Sequence, residues 1–166
     1  MINKWNFQTP TEEELHKRDR LASQLGLSPV VCLLLVQRGL TTVEEVKKFF
    51  KPSLNDLHDP FLMPDMEKAV KRLNKALGNK EKILIYGDYD VDGTTAVSLV
   101  YKYLRPYSSA LDYYIPDRYD EGYGISYKGI NYARENGITL VISLDCGIKA
   151  IEKIEYAKQL GIDFII

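Results

Sequence analysis

The sequence predicts an α/β protein, a parallel sheet with flanking helices preceded by a small helical leader. Two observations carry that expectation. From residue 82 onward, short apolar runs alternate with longer stretches of helical period in the order β-α-β-α-β-α, the pattern of a parallel sheet with helices on both faces. Before residue 80 the periodic stretches are joined by turns, with no strand-like run between them. Composition divides at the same place. Residues 1–80 carry 13 Lys and Arg against 10 Asp and Glu, and residues 81–166 carry 9 against 13. All 12 tyrosines follow residue 81, whereas Trp5 and four of the five phenylalanines precede it. Two units are therefore expected: a helical leader with a linker helix over 1–80, and an α/β unit over 81–166.

In the first unit, Thr11 stands before Glu12, Glu13 and Glu14, a hydroxyl cap and three acids at the positive end of a helix running to about Leu25. Gly26 ends it. Ser28-Pro29 opens the apolar stretch Val30–Val36, which Gly39 closes. Thr42 with Glu45 three residues on forms a capping box for a short helix to Phe50. Residues 51–60, rich in Pro, Asp and Asn, read as an irregular linker. Beyond Pro64 the apolar positions Met66, Val70, Leu73 and Leu77 recur at helical spacing up to Gly78.

In the second unit, Ile83–Tyr86, Leu111–Ile115 and Leu140–Leu144 read as strands, and Thr94–Leu104, Ser126–Glu135 and Ala150–Leu160 as helices. Ile162–Ile166 opens a further strand. A buried parallel strand needs the chain beyond it to complete its cover, so the 166 residues are expected to be a piece of something longer.

The 166 residues are 45% hydrophobic and 27% charged, a globular composition long enough to bury a core without a staple. No apolar stretch has the length of a bilayer span, and Met1-Ile2-Asn3-Lys4-Trp5-Asn6 lacks the apolar run of a secretion signal, so a cytoplasmic protein without a membrane partner is expected. Cys32 and Cys146 are far apart and form no C-x-x-C, which supports neither a disulfide framework nor a zinc knuckle. With a net charge of −1, neither half is basic enough to announce a nucleic-acid partner. Such a partner has to be argued from a site.

Ligands of open parallel sheets bind at the carboxyl ends of the strands. Here Ile83–Tyr86 is followed by Gly87-Asp88-Tyr89-Asp90-Val91-Asp92-Gly93-Thr94, and Leu140–Leu144 by Asp145-Cys146-Gly147. Carboxylates at alternate positions share one side of an extended chain, and Asp145 completes the cluster from another strand. So many acids at one place need a cation, and oxygen-only donors suit Mg²⁺ or Mn²⁺. The plainer alternative is that each Asp caps the helix after it, and that Gly87, Gly93 and Gly147 ease tight turns.

Three named motifs can be tested on the same segment. An EF-hand loop matches at Asp88, Asp90, Asp92 and Gly93, but its twelfth position is Leu99 instead of a bidentate Glu and a strand precedes it. Neither G-x-x-x-x-G-K-[ST] nor G-x-G-x-x-G occurs. The haloacid-dehalogenase-like phosphatase signature D-x-D-G-T is matched literally by Asp90-Val91-Asp92-Gly93-Thr94, with Asp90 as nucleophile and Asp92 as acid and base.

The wider segment Gly87–Ala96 resembles the first motif of the DHH phosphoesterase family, most closely that of its bacterial single-strand-specific 5′→3′ exonucleases. Ile115-Pro116-Asp117-Arg118-Tyr119-Asp120-Glu121-Gly122-Tyr123-Gly124 is similar to their P-x-R-x-x-x-G-Y-G segment, and Ser143-Leu144-Asp145-Cys146-Gly147 to the second family motif. Leu33–Gly39, Phe50–Leu54, His58-Asp59-Pro60 and Asp65-Met66 are similar to the leader that precedes the catalytic domain of those exonucleases. The Asp-His-His motif that names the family comes after the next strand, and neither His16 nor His58 stands in its place.

The resemblance implies that 81–166 is the first part of the family's α/β domain. It implies metal coordination by Asp90, Asp92 and Asp145 with Asp88 in the same catalytic cluster, and two Mn²⁺ or Mg²⁺ ions in the complete enzyme. It further implies phosphodiester hydrolysis on single-stranded DNA in DNA repair and recombination, with a single-strand-binding protein and a helicase as partners. Arg118, beside the turn Gly122-Tyr123-Gly124, is the candidate phosphate contact. Tyr89 and Tyr123 are candidates for stacking on bases. Other family members that act on short oligonucleotides, cyclic dinucleotides or pyrophosphate share these motifs. The fragment alone is expected to be inactive.

Overall fold

The computed structural model describes residues 9–166; Trp5 and the opening segment, on which the reading against a secretion signal rests, lie outside the described residues. The chain forms two compact units, one ending at Asp59 and one spanning Pro60–Ile166.

The first unit holds α1 (Glu12–Leu25), α2 (Pro29–Gln37) and α3 (Val43–Phe50). Local chemistry starts and stops them where the sequence predicts. Thr11 and Glu14 form a reciprocal capping box on α1, Gly26 ends it in the left-handed conformation, Ser28 caps α2, and Thr42 with Glu45 forms a second box on α3. Leu21, Cys32, Leu35, Val36 and Val46 make the buried core of this unit. The segment expected to be irregular contains one ordered 3-10 turn, Leu54–Asp56, because Asp56 accepts hydrogen bonds from the Ser53 amide at 2.8 Å and the Ser53 hydroxyl at 3.0 Å.

The second unit runs α4 (Met66–Gly78), β1 (Ile83–Gly87), α5 (Val91–Leu104), β2 (Leu111–Tyr114), α6 (Tyr127–Glu135), β3 (Leu140–Leu144), α7 (Ile151–Gln159) and β4 (Asp163–Ile165). Its four strands form one sheet in the order β2-β1-β3-β4, with every pair parallel. Alternate side chains of the central strands build two layers. Leu84, Tyr86 and Val141 pack with Ile130 and Ala133 of α6 and Ala157 of α7. Ile83, Ile85, Leu140 and Ile142 pack with Ala76 of α4 and Val97 and Leu104 of α5. Burying each such aliphatic side chain contributes roughly 1.5–3 kcal/mol, which explains why β1 is apolar at every position instead of alternating.

Two boundaries differ from the sequence reading. Helix α4, grouped with the leader on composition, packs on the sheet through Leu73, Ala76 and Leu77. Arg72 fixes it there, with Nε 2.6 Å from Asp163 and Nη2 2.8 Å from Glu81. Helix α5 starts at Val91, three residues before the expected Thr94, because Asp90 accepts a hydrogen bond from the Gly93 amide at 2.9 Å and caps the first turn.

Candidate functional site

The chain leaves β1 for β2 on one side and returns to β3 on the other, so the order of the sheet reverses between β1 and β3. Crevices open at such points beyond the carboxyl ends of the strands. Asp88 follows β1 directly and Asp145 follows β3 directly, and Gly87 is in register with Leu144. The parallel pairing therefore brings the two acidic turns to one edge.

Asp88 is completely buried. One of its oxygens accepts the Tyr89 amide at 2.8 Å. The other, Oδ2, is buried without a hydrogen-bond partner. A carboxylate oxygen in that position is costly unless a cation or a donor meets it. Asp90 is exposed and serves as the cap of α5. Asp92 is exposed in the first turn of that helix. The three acids therefore do not share one side of an extended strand as their spacing suggested, since capping by Asp90 turns the backbone helical before Asp92. Asp145 is exposed with φ 57°, the left-handed conformation.

The first motif's glycines do more than ease turns. A Cβ on Gly93 would stand 2.5 Å from the Asp88 carbonyl oxygen and 2.6 Å from its amide nitrogen. Glycine here lets the start of α5 lie against the backbone of the buried acid. Gly147, at φ 114°, does require the freedom of glycine.

Tyr123 lies within electrostatic reach of Asp88, Asp145 and Asp90. Desolvation, followed by the negative charges of Asp88, Asp145 and Asp90, pushes its hydroxyl above the ordinary tyrosine range. Its ring meets that of Tyr89 edge to face with centroids 6.1 Å apart, and the guanidinium of Arg118 stands 5.3 Å over the Tyr89 ring. Among the described residues Arg118 forms no ion pair, which leaves its fork of donors available to an anion. Gly122 and Gly124 have φ of 76° and 83° with open space where a Cβ would project, so the turn needs glycine for its backbone angles.

An open cavity of about 450 Å³ adjoins Asp145 and is lined by Tyr123, Gly124, Cys146, Gly147, Lys149 and Lys153 among others. The Cys146 thiol is pushed up to about 11 by burial and by the charge of Asp88.

The donors fit a hard divalent ion in kind: carboxylate oxygens from two turns, one of them buried and unpartnered. They form part of a ligand set and not a finished cage. Among the described residues no three acids, histidines or cysteines converge closely enough to hold an ion.

Sequence reasoning missed the hydrogen-bonded support under this turn. Glu121 accepts the Tyr114 hydroxyl at 2.9 and 3.0 Å, the Asp117 amide at 2.9 Å, and the Ser126 hydroxyl. Tyr86 donates to the Gly124 carbonyl at 3.0 Å and accepts the Ser126 amide at 3.0 Å. The one signal of it in the sequence is an acid directly before Gly122-Tyr123-Gly124.

Comparison with known proteins agrees with the motifs. Residues 82–166 match the DHH family, N-terminal domain. The chain is 40% identical over 163 residues to the single-stranded-DNA-specific exonuclease RecJ of Bacillus subtilis (strain 168), covering 98% of this chain and 20% of that protein. It is 32% identical over 142 residues to the RecJ of Escherichia coli (strain K12), covering 84% and 24%. Among solved structures, an exonuclease RecJ bound to manganese is similar with a TM-score of 0.56 at 28% identity, over 62% of this chain and 27% of that one. RecJ in complex with Mn²⁺ from Thermus thermophilus shares the fold with a TM-score of 0.63 at 21% identity, over 90% and 20%. The chain thus spans about a fifth to a quarter of the length of these curated relatives. On the strength of the family match over 82–166 and the ordered motifs within it, the chain belongs to the DHH family.

Proposed function

We propose that this chain carries the first part of the active site of a metal-dependent phosphodiesterase that removes nucleotides from the 5′ end of single-stranded DNA. The observation that carries the reading is the buried, unpartnered Oδ2 of Asp88 at the strand edge that also presents Asp90, Asp92 and Asp145. The manganese-bound relatives support a divalent ion there, and the relatives named for single-stranded DNA support that substrate. Asp90, Asp92 and Asp145 are the proposed protein ligands from this chain, with the Asp88 carboxylate in the same catalytic cluster, two ions the proposed complement of the whole protein, and Mg²⁺ an alternative to Mn²⁺. When bound, such ions activate water and neutralise charge on a phosphoryl group.

The chain's own residues do the rest. Arg118 engages a phosphate of the strand through its free guanidinium, and Tyr89 and Tyr123 offer ring faces and edges to a base. The acidic edge repels a phosphodiester until a cation reverses the local field, so binding of strand and metal are coupled. The proposed setting is DNA repair and recombination in the cytoplasm, alongside a single-strand-binding protein and a helicase.

The test offers 5′-labelled single-stranded DNA, the matching duplex and a simple phosphomonoester, with Mn²⁺, to two proteins. One is the 166-residue chain and the other is the product of its gene read to the stop codon. We expect mononucleotides from the single strand alone, released by the longer protein, with activity abolished in Asp90→Ala. Cleavage of the monoester alone overturns the reading in favour of Asp90 as a phosphatase nucleophile.

A further inference from the structure

We propose that Glu121 is a positioning residue: its carboxylate gathers Tyr114, Ser126 and the Asp117 amide into one anchor that holds Tyr123 at the acids and Arg118 over Tyr89. The inference rests on the functional reading above, since it assigns a part in that site to a residue outside it.

The connection from β2 to α6 is long, and Arg118, Tyr119 and Tyr123 within it are exposed. Its two ends are anchored by the buried side chains of Pro116 and Ile125, but the stretch between them has little burial to fix it, and two left-handed glycines at 122 and 124 add conformational freedom. Between those ends, what fixes it is polar. The Glu121 carboxylate is held below the usual carboxylate range; burial opposes this, and the hydrogen bonds from Ser126, the Asp117 amide and Tyr114 outweigh it. It is therefore an ionised acceptor, and bonds to an ionised acceptor are the stronger kind. The donors come from different elements: Tyr114 ends β2, and Ser126 caps α6 through the Gly129 amide at 2.8 Å.

Tyr114 in turn stacks on Tyr86, with ring centroids 5.4 Å apart and planes 17° from parallel. Tyr86 lies in β1 two residues before Asp88, and its hydroxyl closes the far end of the turn at Gly124. The strand that buries Asp88 and the turn that carries Tyr123 are thus joined at both ends of Glu121-Gly122-Tyr123-Gly124. Truncating Glu121 leaves the sheet core intact and releases the turn.

The readout is nuclear magnetic resonance of the 166-residue chain with labelled tyrosine rings. In the metal-free wild type we expect ring-to-ring cross-relaxation between Tyr89 and Tyr123, at 6.1 Å, and between Tyr103 and Tyr107, at 5.8 Å on the far end of α5. In Glu121→Ala the first contact is lost and the second kept. Glu121→Gln, which retains an acceptor for the Asp117 amide, restores part of the first. A Tyr89–Tyr123 contact unchanged in Glu121→Ala, or absent from the wild type, overturns the proposal. Should Glu121→Ala also lose the Tyr103–Tyr107 contact, Tyr114→Phe decides, since it removes one donor and keeps the stacked ring. A weakened Tyr89–Tyr123 contact there supports the anchor, and an unchanged one refutes it. Mn²⁺ added to the wild type then separates this inference from the functional reading. Broadening of Tyr123 and Tyr89 ahead of Tyr103 supports the metal site, and broadening of all three alike removes that reading whatever the cross-relaxation shows.

Discussion

The hydroxyl of Tyr86 donates to the carbonyl of Gly124 at 3.0 Å, a bond across 38 residues of sequence. The same oxygen accepts the amide of Ser126, and burial pushes the hydroxyl up to about 12, so it is a permanent donor at neutral pH. Tyr86→Phe keeps the ring and strands two backbone groups. Each buried unpaired group costs about 1–3 kcal/mol, and we expect a loss of about 3 kcal/mol in total from the two. Urea unfolding checks it: the midpoint falls with the slope unchanged.

Asp88 is placed at a cost to the metal-free fold. Asp88→Asn removes the charge from a side chain with one unpartnered buried oxygen. We expect the metal-free chain to gain about 1 kcal/mol. In the longer protein, where the rest of the proposed ligand set is present, we also expect stabilisation by Mn²⁺ in the wild type and its loss in the variant. Thermal unfolding with Mn²⁺ and with a chelator reads both effects, and a variant less stable than wild type in chelator contradicts the first.

Asp90 has a structural duty separable from any metal. Its bond to the Gly93 amide is an N-cap, and Asp90→Ala should cost about 1 kcal/mol in chelator. Asp90→Ser, which keeps a capping oxygen, should recover most of that stability and, in the longer protein, none of the response to Mn²⁺. Thermal melts of both variants with and without the ion make the distinction.

Gly93→Ala would ordinarily favour a helix by about 1 kcal/mol. Here the added Cβ meets the backbone of Asp88 at 2.5 Å. Backbone held by a sheet yields little, so the net effect should be a loss of about 3 kcal/mol, read as a drop in the unfolding midpoint.

Acid should weaken the second unit through Glu81. The Thr139 hydroxyl at 2.7 Å and the Arg72 guanidinium at 2.8 Å hold its carboxyl below the ordinary 4.5. A folded-state value below the unfolded one contributes stability that is complete above the ordinary value and is lost as pH falls through the folded value. Between about pH 5 and about pH 3 the wild type should therefore lose more stability than Glu81→Gln. Unfolding measured across that window checks the sign.

Most of the architecture is legible in the amino-acid order, because the signals that start and stop elements are local. Thr11 with Glu14 and Thr42 with Glu45 cap helices through bonds three residues long, and the apolar runs of β1 and β3 have few conformations that bury them. The acids at 88, 90, 92 and 145 are legible for the same reason: they come after strands, and strand ends are where a parallel sheet opens. Which layer α4 joins is settled only by packing, since Leu73, Ala76 and Leu77 would suit any apolar surface and only Glu81 and Asp163 together tell Arg72 where to lie. Packing likewise makes Asp88 the buried acid and Asp90 the cap, because burial depends on the groups that cover a residue and not on its type. The Tyr86, Tyr114, Glu121 and Ser126 support is hidden in the same way. Its bonds join a strand, a turn and a helix whose proximity comes from the strand order β2-β1-β3, and no spacing in one chain encodes which strands become neighbours.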